Sequence, residues 1–182
     1  MKELSLNILD ITENSVKAKA TLTEILIEET EKTLSITITD DGVGMSADTL
    51  AAVTNPFYTT RTTRNVGLGI PLLIMSAEQT GGYVDITSKT ADEHNGSHGT
   101  RVFAHYNKDH IDFTPLGDVV STVVTLIMGH PDTDFLFIHR TSGGEVSLDT
   151  RELREVLGDI PLNSYEIIEW IRENLNEQYT LV

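Results

Sequence analysis

The sequence predicts an α+β protein, helices interleaved with mostly antiparallel strands, and three features carry that prediction. The run "TLTEILIEETEKTLSITITDDG" alternates around a charged turn, the period of a half-buried β-hairpin. Segments before and after it place apolar residues at helical spacing. A second pair of alternating runs follows further along the chain.

Taken in order, residues 3–20 put Leu4, Ile8, Ile11 and Val16 close to one helical stripe. The hairpin strands fall near 22–29 and 34–39, with the turn over Glu29–Lys32. A short helix over 46–53 begins at Ser46, a residue suited to an N-cap. The loop "NPFYTTRTTRN" then leads to Gly67 and Gly69, and a helix over about 70–79 stops at Gly81-Gly82. Strands near 83–88 and 99–106 flank the loose "TADEHNGSHG". Beyond Tyr106 the pattern gives a helix (116–128), a break at "HPD", a hairpin turning at Ser142-Gly143-Gly144, and two short helices. The last shows a capping-box pattern, Asn163 with Glu166, and a stripe of Ile167, Ile171 and Leu175.

The chain therefore divides into a domain over 1–106 and a C-terminal α/β extension over 107–182. The extension holds 14 of the 28 acidic residues but 5 of the 13 basic ones, so its surface chemistry differs. No Pro/Gly/Ser-rich linker separates the two, and the extension has little core of its own. It is expected to pack onto the first part.

Charge and composition exclude several classes of function. A net charge of −15 over 182 residues argues against nucleic acid or an anionic membrane as partner, since both demand clustered Lys and Arg. There is no cysteine, hence no disulfide, thiolate nucleophile or cysteine-held metal. The start is acidic and amphipathic, unlike a signal peptide, and the longest apolar tract, "VVSTVVTLIM", is too short to span a bilayer. The cytoplasm is the expected location.

Four polar constellations occur where elements start or end. Asp10, Asn14 and Lys17 share one face of the first helix, away from Leu4, Ile8 and Ile11. A carboxylate, an amide oxygen and an ammonium there can order a water, bind Mg²⁺ and hold a phosphate; a solvated polar face is the plainer alternative. "DDGVGM" ends a strand with Asp40, and Gly42 and Gly44 let the backbone pass close to a flat ligand. A tight turn explains it equally well. Gly67 and Gly69 before a helix aim free N–H groups at an anion. They fit neither the dinucleotide nor the P-loop pattern. Gly99-Thr100 opens a late strand and by itself says little.

Together the four resemble the ATP-binding domain shared by DNA gyrase B subunits, heat-shock chaperones, histidine kinases and mismatch-repair ATPases, the GHKL superfamily. "DITENSVKAKA" is similar to its N box, "DDGVGM" to its G1 box, "NPFYTTR" to the F box of histidine kinases, and "NVGLGIPLL" to the G2 box. "GSHGTRVFA" resembles the closing Gly-Thr strand. The order holds from about Leu4 to Tyr106 and does not reach 107–182. The resemblance implies a two-layer sandwich of a mixed, mostly antiparallel sheet and helices, the Bergerat-type fold, binding ATP and Mg²⁺. It implies that Asn14 gives its oxygen to Mg²⁺, Lys17 meets phosphate, Asp40 accepts from the adenine amino group, and Thr100 stands beside the base. Phe57, Thr59, Thr60 and Arg61 of the F box, with Gly67, Leu68 and Gly69 of the G2 box, supply the lid side of the nucleotide site. Phe57 packs the base of that lid, while Arg61 and Arg64 either reach the phosphates on closure or stay solvated.

Two departures bear on activity. Asp10 stands where gyrase-like ATPases carry Glu, so a catalytic carboxylate here is one methylene shorter, and reach comes before pKa in catalysis. The neighbouring Glu13 points to another face. The chain also begins almost at the N box, without the phosphoacceptor helices of histidine kinases. "HIDFTPL" at His110 lacks the acidic residue directly after the histidine and reads as a linker instead. His94 and His98 share a glycine-containing loop and are not expected to bind metal. The expected function is Mg-dependent ATP binding with slow hydrolysis, or phosphate transfer to a partner protein. The alternative is a non-catalytic nucleotide-dependent switch regulating a partner. An unidentified protein partner is implied, a homodimer is compatible with the sequence, and no nucleic acid or membrane is expected.

Overall fold

A computed structural model describes residues 3–54, 68–91 and 96–182. The described elements are α1 (Leu4–Lys17), β1 (Leu22–Glu29), β2 (Thr33–Asp40), α2 (Ala47–Thr54), α3 (Gly69–Glu78), β3 (Tyr83–Lys89) and β4 (Gly99–Asn107). They continue with α4 (Val119–Gly129), β5 (Asp134–Arg140), β6 (Glu145–Asp149), α5 (Thr150–Leu157) and α6 (Tyr165–Tyr179). The strands form one sheet in the order β3-β4-β2-β1-β5-β6. Every pairing is antiparallel except β1 with β5, which is parallel. This is the expected α+β two-layer sandwich with a mixed sheet.

The hairpin register follows from the alternation. Ile25 faces Ile38 and Ile27 faces Ile36, and all four are buried, while Glu24 and Glu28 point the other way into water. Helices cover the buried face. Leu4, Ile8 and Ile11 of α1 join Ile70, Leu73 and Ala77 of α3 and the valine-rich side of α4 in one continuous core.

The extension adds strands to that sheet instead of packing beside it. β5 runs along β1 from Leu22↔Asp134 to Glu28↔Arg140, and Phe135 and Phe137 bury their rings in the common core. Its entry segment also caps α1. The Leu4 and Ser5 N–H groups, which have no partner within the helix, donate to Pro115 O and Leu116 O at 2.9 and 2.8 Å. For that reason α4 starts later than the apolar pattern suggests. Residues 115–117 serve α1, and Asp118 caps α4 by accepting from the Ser121 N–H at 2.8 Å. The exposed edge at β6 is covered by Gln178, whose amide accepts from Ser147 N at 2.8 Å and donates to Ser147 O at 3.0 Å.

The last helix differs from expectation in two respects. It is fifteen residues long, and its N-cap is Ser164, not Asn163. The Ser164 hydroxyl donates back to Pro161 O at 2.7 Å, so no capping box forms. Ile168, Ile171 and Leu175 are buried and Ile167 is partly buried, so the stripe serves as core. None of the described helices is long and apolar enough to cross a membrane.

At the sheet end remote from Asp40, polar groups bind extension to hairpin. Lys108 Nζ donates to Glu29 Oε1 at 2.6 Å and to Thr30 O at 2.8 Å. His139, 3% exposed, pairs Nδ1 with the Tyr179 hydroxyl at 2.7 Å. Its Nε2 lies 3.3 Å from Glu29 Oε2 but off the line of a hydrogen bond. Burial lowers the His139 pKa and Lys108 adds to that, against the opposing pull of Glu29.

A histidine whose folded pKa lies below its unfolded value favours folding while neutral. The contribution is complete above about pH 6.5 and is lost as the pH falls through the folded value. Urea titrations should therefore show the wild type losing stability relative to His139→Asn between about pH 7 and 5. A constant difference across that range would contradict the assignment. Limited proteolysis should release no stable folded 107–182 fragment, because β5 and α4 would lose the sheet and helix they cover.

Candidate functional site

The ends of β2 and β4 meet the last turns of α1, and Asp40 sits at the junction. Its carboxylate accepts three hydrogen bonds from three different elements. Ser15 Oγ of α1 donates to Oδ2 at 2.7 Å, while Gly42 N and Thr100 N donate to Oδ1 at 2.9 and 3.2 Å. A carboxylate has about four acceptor positions, so about one is left for a ligand.

Beside it opens a cavity of about 250 Å³. Of the residues singled out from the sequence, Asn14, Asp40, Gly44 and Thr100 line it. Ile11, Ala18, Met45, Val53, Ile70 and Val102 supply apolar walls, and Thr49 and Ser15 further hydroxyls. Apolar walls around a few convergent polar groups suit a flat heterocycle with a hydrogen-bonding edge.

The glycines have distinct tasks. Gly44 has φ of +71°, and a Cβ there would lie 1.9 Å from Lys89 O. Gly99 has φ of +125°, and a Cβ there would lie 1.9 Å from Asp40 O. Both the conformation and the contact require glycine. Met45 N donates to Ser88 Oγ at 2.7 Å, and that hydroxyl also pairs with Thr100 Oγ1 at 2.8 Å, clamping the loop to the β3–β4 edge. The second aspartate of "DDG" has a separate role. Asp41 accepts from Thr21 N at 2.7 Å, from Leu22 N at 3.0 Å and from the Thr21 hydroxyl, anchoring the start of β1. Burial raises its pKa, but those hydrogen bonds outweigh burial and hold it below the ordinary carboxylate value.

The remaining expected residues lie around the cavity and not in its lining. Gly42 stands behind Asp40, tied to it through its N–H. Asp10 and Lys17 are exposed on α1. Asp10 adjoins the start of α3, since a Cβ on Gly69 would fall 3.2 Å from Asp10 Cβ. Gly69 is the buried first residue of α3, and Leu68, 67% exposed, is its N-cap without a side-chain cap. Among the described residues no acceptor meets the Leu68, Gly69 and Ile70 N–H groups at this helix start beside Asp10, and Pro71 has no N–H. Glu13 is engaged elsewhere, with Oε1 2.7 Å from His130 Nε2 past the end of α4. Phe57, Thr59, Thr60, Arg61, Arg64, Gly67 and His94 lie outside the described residues.

Ser15, Thr49 and Ser88 carry no motif signal, although Ser15 directly follows Asn14 and Thr49 lies one turn after Ser46. Met45, Val53, Ile70 and Val102 are ordinary apolar positions whose orientation only the fold supplies.

Residues 2–110 match the family model described as histidine kinase-, DNA gyrase B-, and HSP90-like ATPase. The chain belongs to this ATPase family. ATP binding is the coarse function that this membership implies. Among solved structures, the ATPase domain of MutL from Aquifex aeolicus, complexed with ADP, is similar in fold. It aligns at 15% identity with a TM-score of 0.54, covering 95% of this chain and 88% of that one. The N-terminal domain of a DNA repair protein aligns at 15% identity and a TM-score of 0.58. That alignment covers 96% of this chain but 56% of the other, so this ATPase-family chain spans little more than half that length. In both, the likeness runs past residue 110 through the extension. No curated protein matches the chain.

Replacing Gly99 by alanine should destabilise the fold by about 1–3 kcal/mol in urea denaturation, since neither its φ nor Asp40 O leaves room for a methyl group. An unchanged midpoint would show that β4 and the Asp40 loop are not in this contact.

Proposed function

We propose that this chain binds ATP and ADP with Mg²⁺ in the cavity beside Asp40, and that it turns ATP over slowly. The observation that carries the reading is the Asp40 carboxylate, held by three internal donors at the mouth of an apolar cavity with about one acceptor position to spare. An exocyclic amino group edge-on to that position satisfies it, and the apolar walls take the ring. Thr100 stands beside the same edge and gives the base a hydroxyl partner, directly or through water.

The family implies Mg²⁺, and the residues present fit it. Among the described residues no three carboxylate or histidine side chains gather to cage a metal. Mg²⁺ commonly takes one or two protein oxygens and completes its shell with phosphate and water. Asn14, in the cavity lining, offers such an oxygen. Bound there, the ion neutralises phosphate charge. Lys17, one turn further along the same face, adds an ammonium for phosphate oxygens. The N–H groups of Leu68, Gly69 and Ile70, at the N-terminal end of α3, suit an anion in the same reading. The lid-side contacts assigned to Phe57, Thr59, Thr60, Arg61 and Gly67 belong to the same reading.

For hydrolysis, Asp10 is the carboxylate placed to accept a proton from an attacking water, since Glu13 is occupied by His130. A second reading rests on the exposure of Asp10 and its absence from the cavity lining. A carboxylate one methylene short of its relatives and open to solvent suits a nucleotide-dependent switch, read by a partner protein, equally well. Transfer of phosphate to a partner and a homodimer are further forms of the same reading. A cytoplasmic setting belongs to the same reading.

Incubation with γ-labelled ATP and Mg²⁺, following free phosphate and labelled protein together, separates hydrolysis, phosphotransfer and binding alone. Asp40→Asn should weaken ADP binding by about 1.5–3 kcal/mol in calorimetry with the fold intact. Unchanged affinity would remove Asp40 from base recognition. If Asp10 is the general base, Asp10→Asn should keep ATP affinity and lower turnover about 10²–10⁴-fold, while Asp10→Glu keeps or raises it. Negligible turnover by the wild type would favour the switch.

A further inference from the structure

His98 stands just before the Gly99-Thr100 pair of the closing-strand motif, without a role assigned to it there, and it makes a short contact with the Asp40 loop. Its Nδ1 is 2.6 Å from the Gly42 carbonyl oxygen, fifty-six residues away in sequence. A carbonyl only accepts, so Nδ1 is the donor and carries the hydrogen. Among the described residues no backbone N–H reaches the same carbonyl.

Three consecutive residues thereby grip one turn. His98 holds the Gly42 carbonyl, Gly99 presses its missing side chain against Asp40 O, and Thr100 N donates to Asp40 Oδ1 at 3.2 Å. Gly42 is in turn fixed at its other end, because its N–H donates to Asp40 Oδ1 at 2.9 Å. The Gly42 N–H and C=O belong to successive peptide units, so with both held neither φ nor ψ of Gly42 can turn without breaking a hydrogen bond. The orientation of Gly42 therefore sets one of the three donors that aim the Asp40 carboxylate.

We propose that His98 is a positioning residue for base recognition, acting through Gly42 on the carboxylate of Asp40. The inference rests on the nucleotide reading of the cavity. His98 is not among the residues that line the cavity, and its chemistry is that of a fixed donor.

The side-chain requirement is specific. Asparagine places its Nδ2 donor at the same branch of the side chain as histidine Nδ1, whereas aspartate places an acceptor there and alanine places nothing. ADP affinity measured by calorimetry should fall about three- to tenfold in His98→Ala and His98→Asp, the range of one lost hydrogen bond, and stay within about twofold in His98→Asn. Because His98 is exposed, all three variants should fold, and thermal melting checks that they do. Nitrogen-detected NMR of the nucleotide-free protein should show a proton on His98 Nδ1. Equal ADP affinity in wild type and His98→Ala overturns the proposal, as does an Nδ1 without a proton or failure of His98→Asn to restore binding. Absence of ADP binding by the wild type itself overturns the nucleotide reading and the proposal with it.

Discussion

The interaction on which the site depends is the three-way pinning of the Asp40 carboxylate. Ser15 belongs to α1, Gly42 to the loop after β2, and Thr100 to the start of β4. Hydrogen bonds to an ionised acceptor are stronger than neutral ones and strongly directional. Satisfying all three at once fixes where α1 ends relative to the sheet and where the glycine loop turns. The cavity is the space these constraints leave. Gly44 against Lys89 O and Gly99 against Asp40 O are the close approaches that make the arrangement sterically feasible.

The extension contributes at a distance from that hub. α1 brings Ser15 and Asn14 to the site at its C-terminal end, and its N-terminal end is capped by the carbonyls of Pro115 and Leu116. Along its length Thr122 Oγ1 of α4 donates to Ser5 O at 3.3 Å, and Glu13 meets His130. The helix that presents the site is thus held from behind by residues the family model does not cover. α4 packs against α1 directly, while β5 and β6 extend the sheet beyond β1. The likeness of fold to the MutL ATPase domain over 95% of this chain agrees with that continuity.

The sheet was legible in the sequence because its alternation is strict. The hairpin with Ile25, Ile27, Ile36 and Ile38 admits one register that buries all four. The site was legible where several polar residues fall at element ends together, as with Asn14, Asp40 and Thr100. It was not legible where a side chain works through tertiary neighbours. Ser15 reads as a polar residue on a helix, and only the approach of β2 gives its hydroxyl an acceptor. α4 begins only at the Asp118 cap because the Pro115 and Leu116 carbonyls serve α1, and Ser164 took the N-cap of α6 in place of Asn163 while its hydroxyl turned to Pro161. Caps are chosen by local hydrogen-bond competition, which spacing alone does not resolve. The parallel pairing of β5 with β1 likewise depends on a long-range contact with no local signature.

The two halves of the site differ in physical character, and that difference bears on why recognition and chemistry separate here. The half assigned to the base is built from β2, β4 and the end of α1, half-buried and held by short hydrogen bonds. The half assigned to phosphate is the exposed face of α1, with Asp10 and Lys17, and the uncapped start of α3. Charges in open solvent interact weakly, and stabilisation of a transition state needs donors and acceptors fixed in a water-poor setting. The base-side geometry is held by bonds internal to the protein, the three donors on Asp40 and the Ser88–Thr100 pair among them. Any catalytic use of Asp10 requires water to be excluded from that face and its shorter side chain to be brought into reach. In the proposed reading, then, nucleotide recognition rests on the residues around Asp40, and turnover on Asp10 outside the cavity lining.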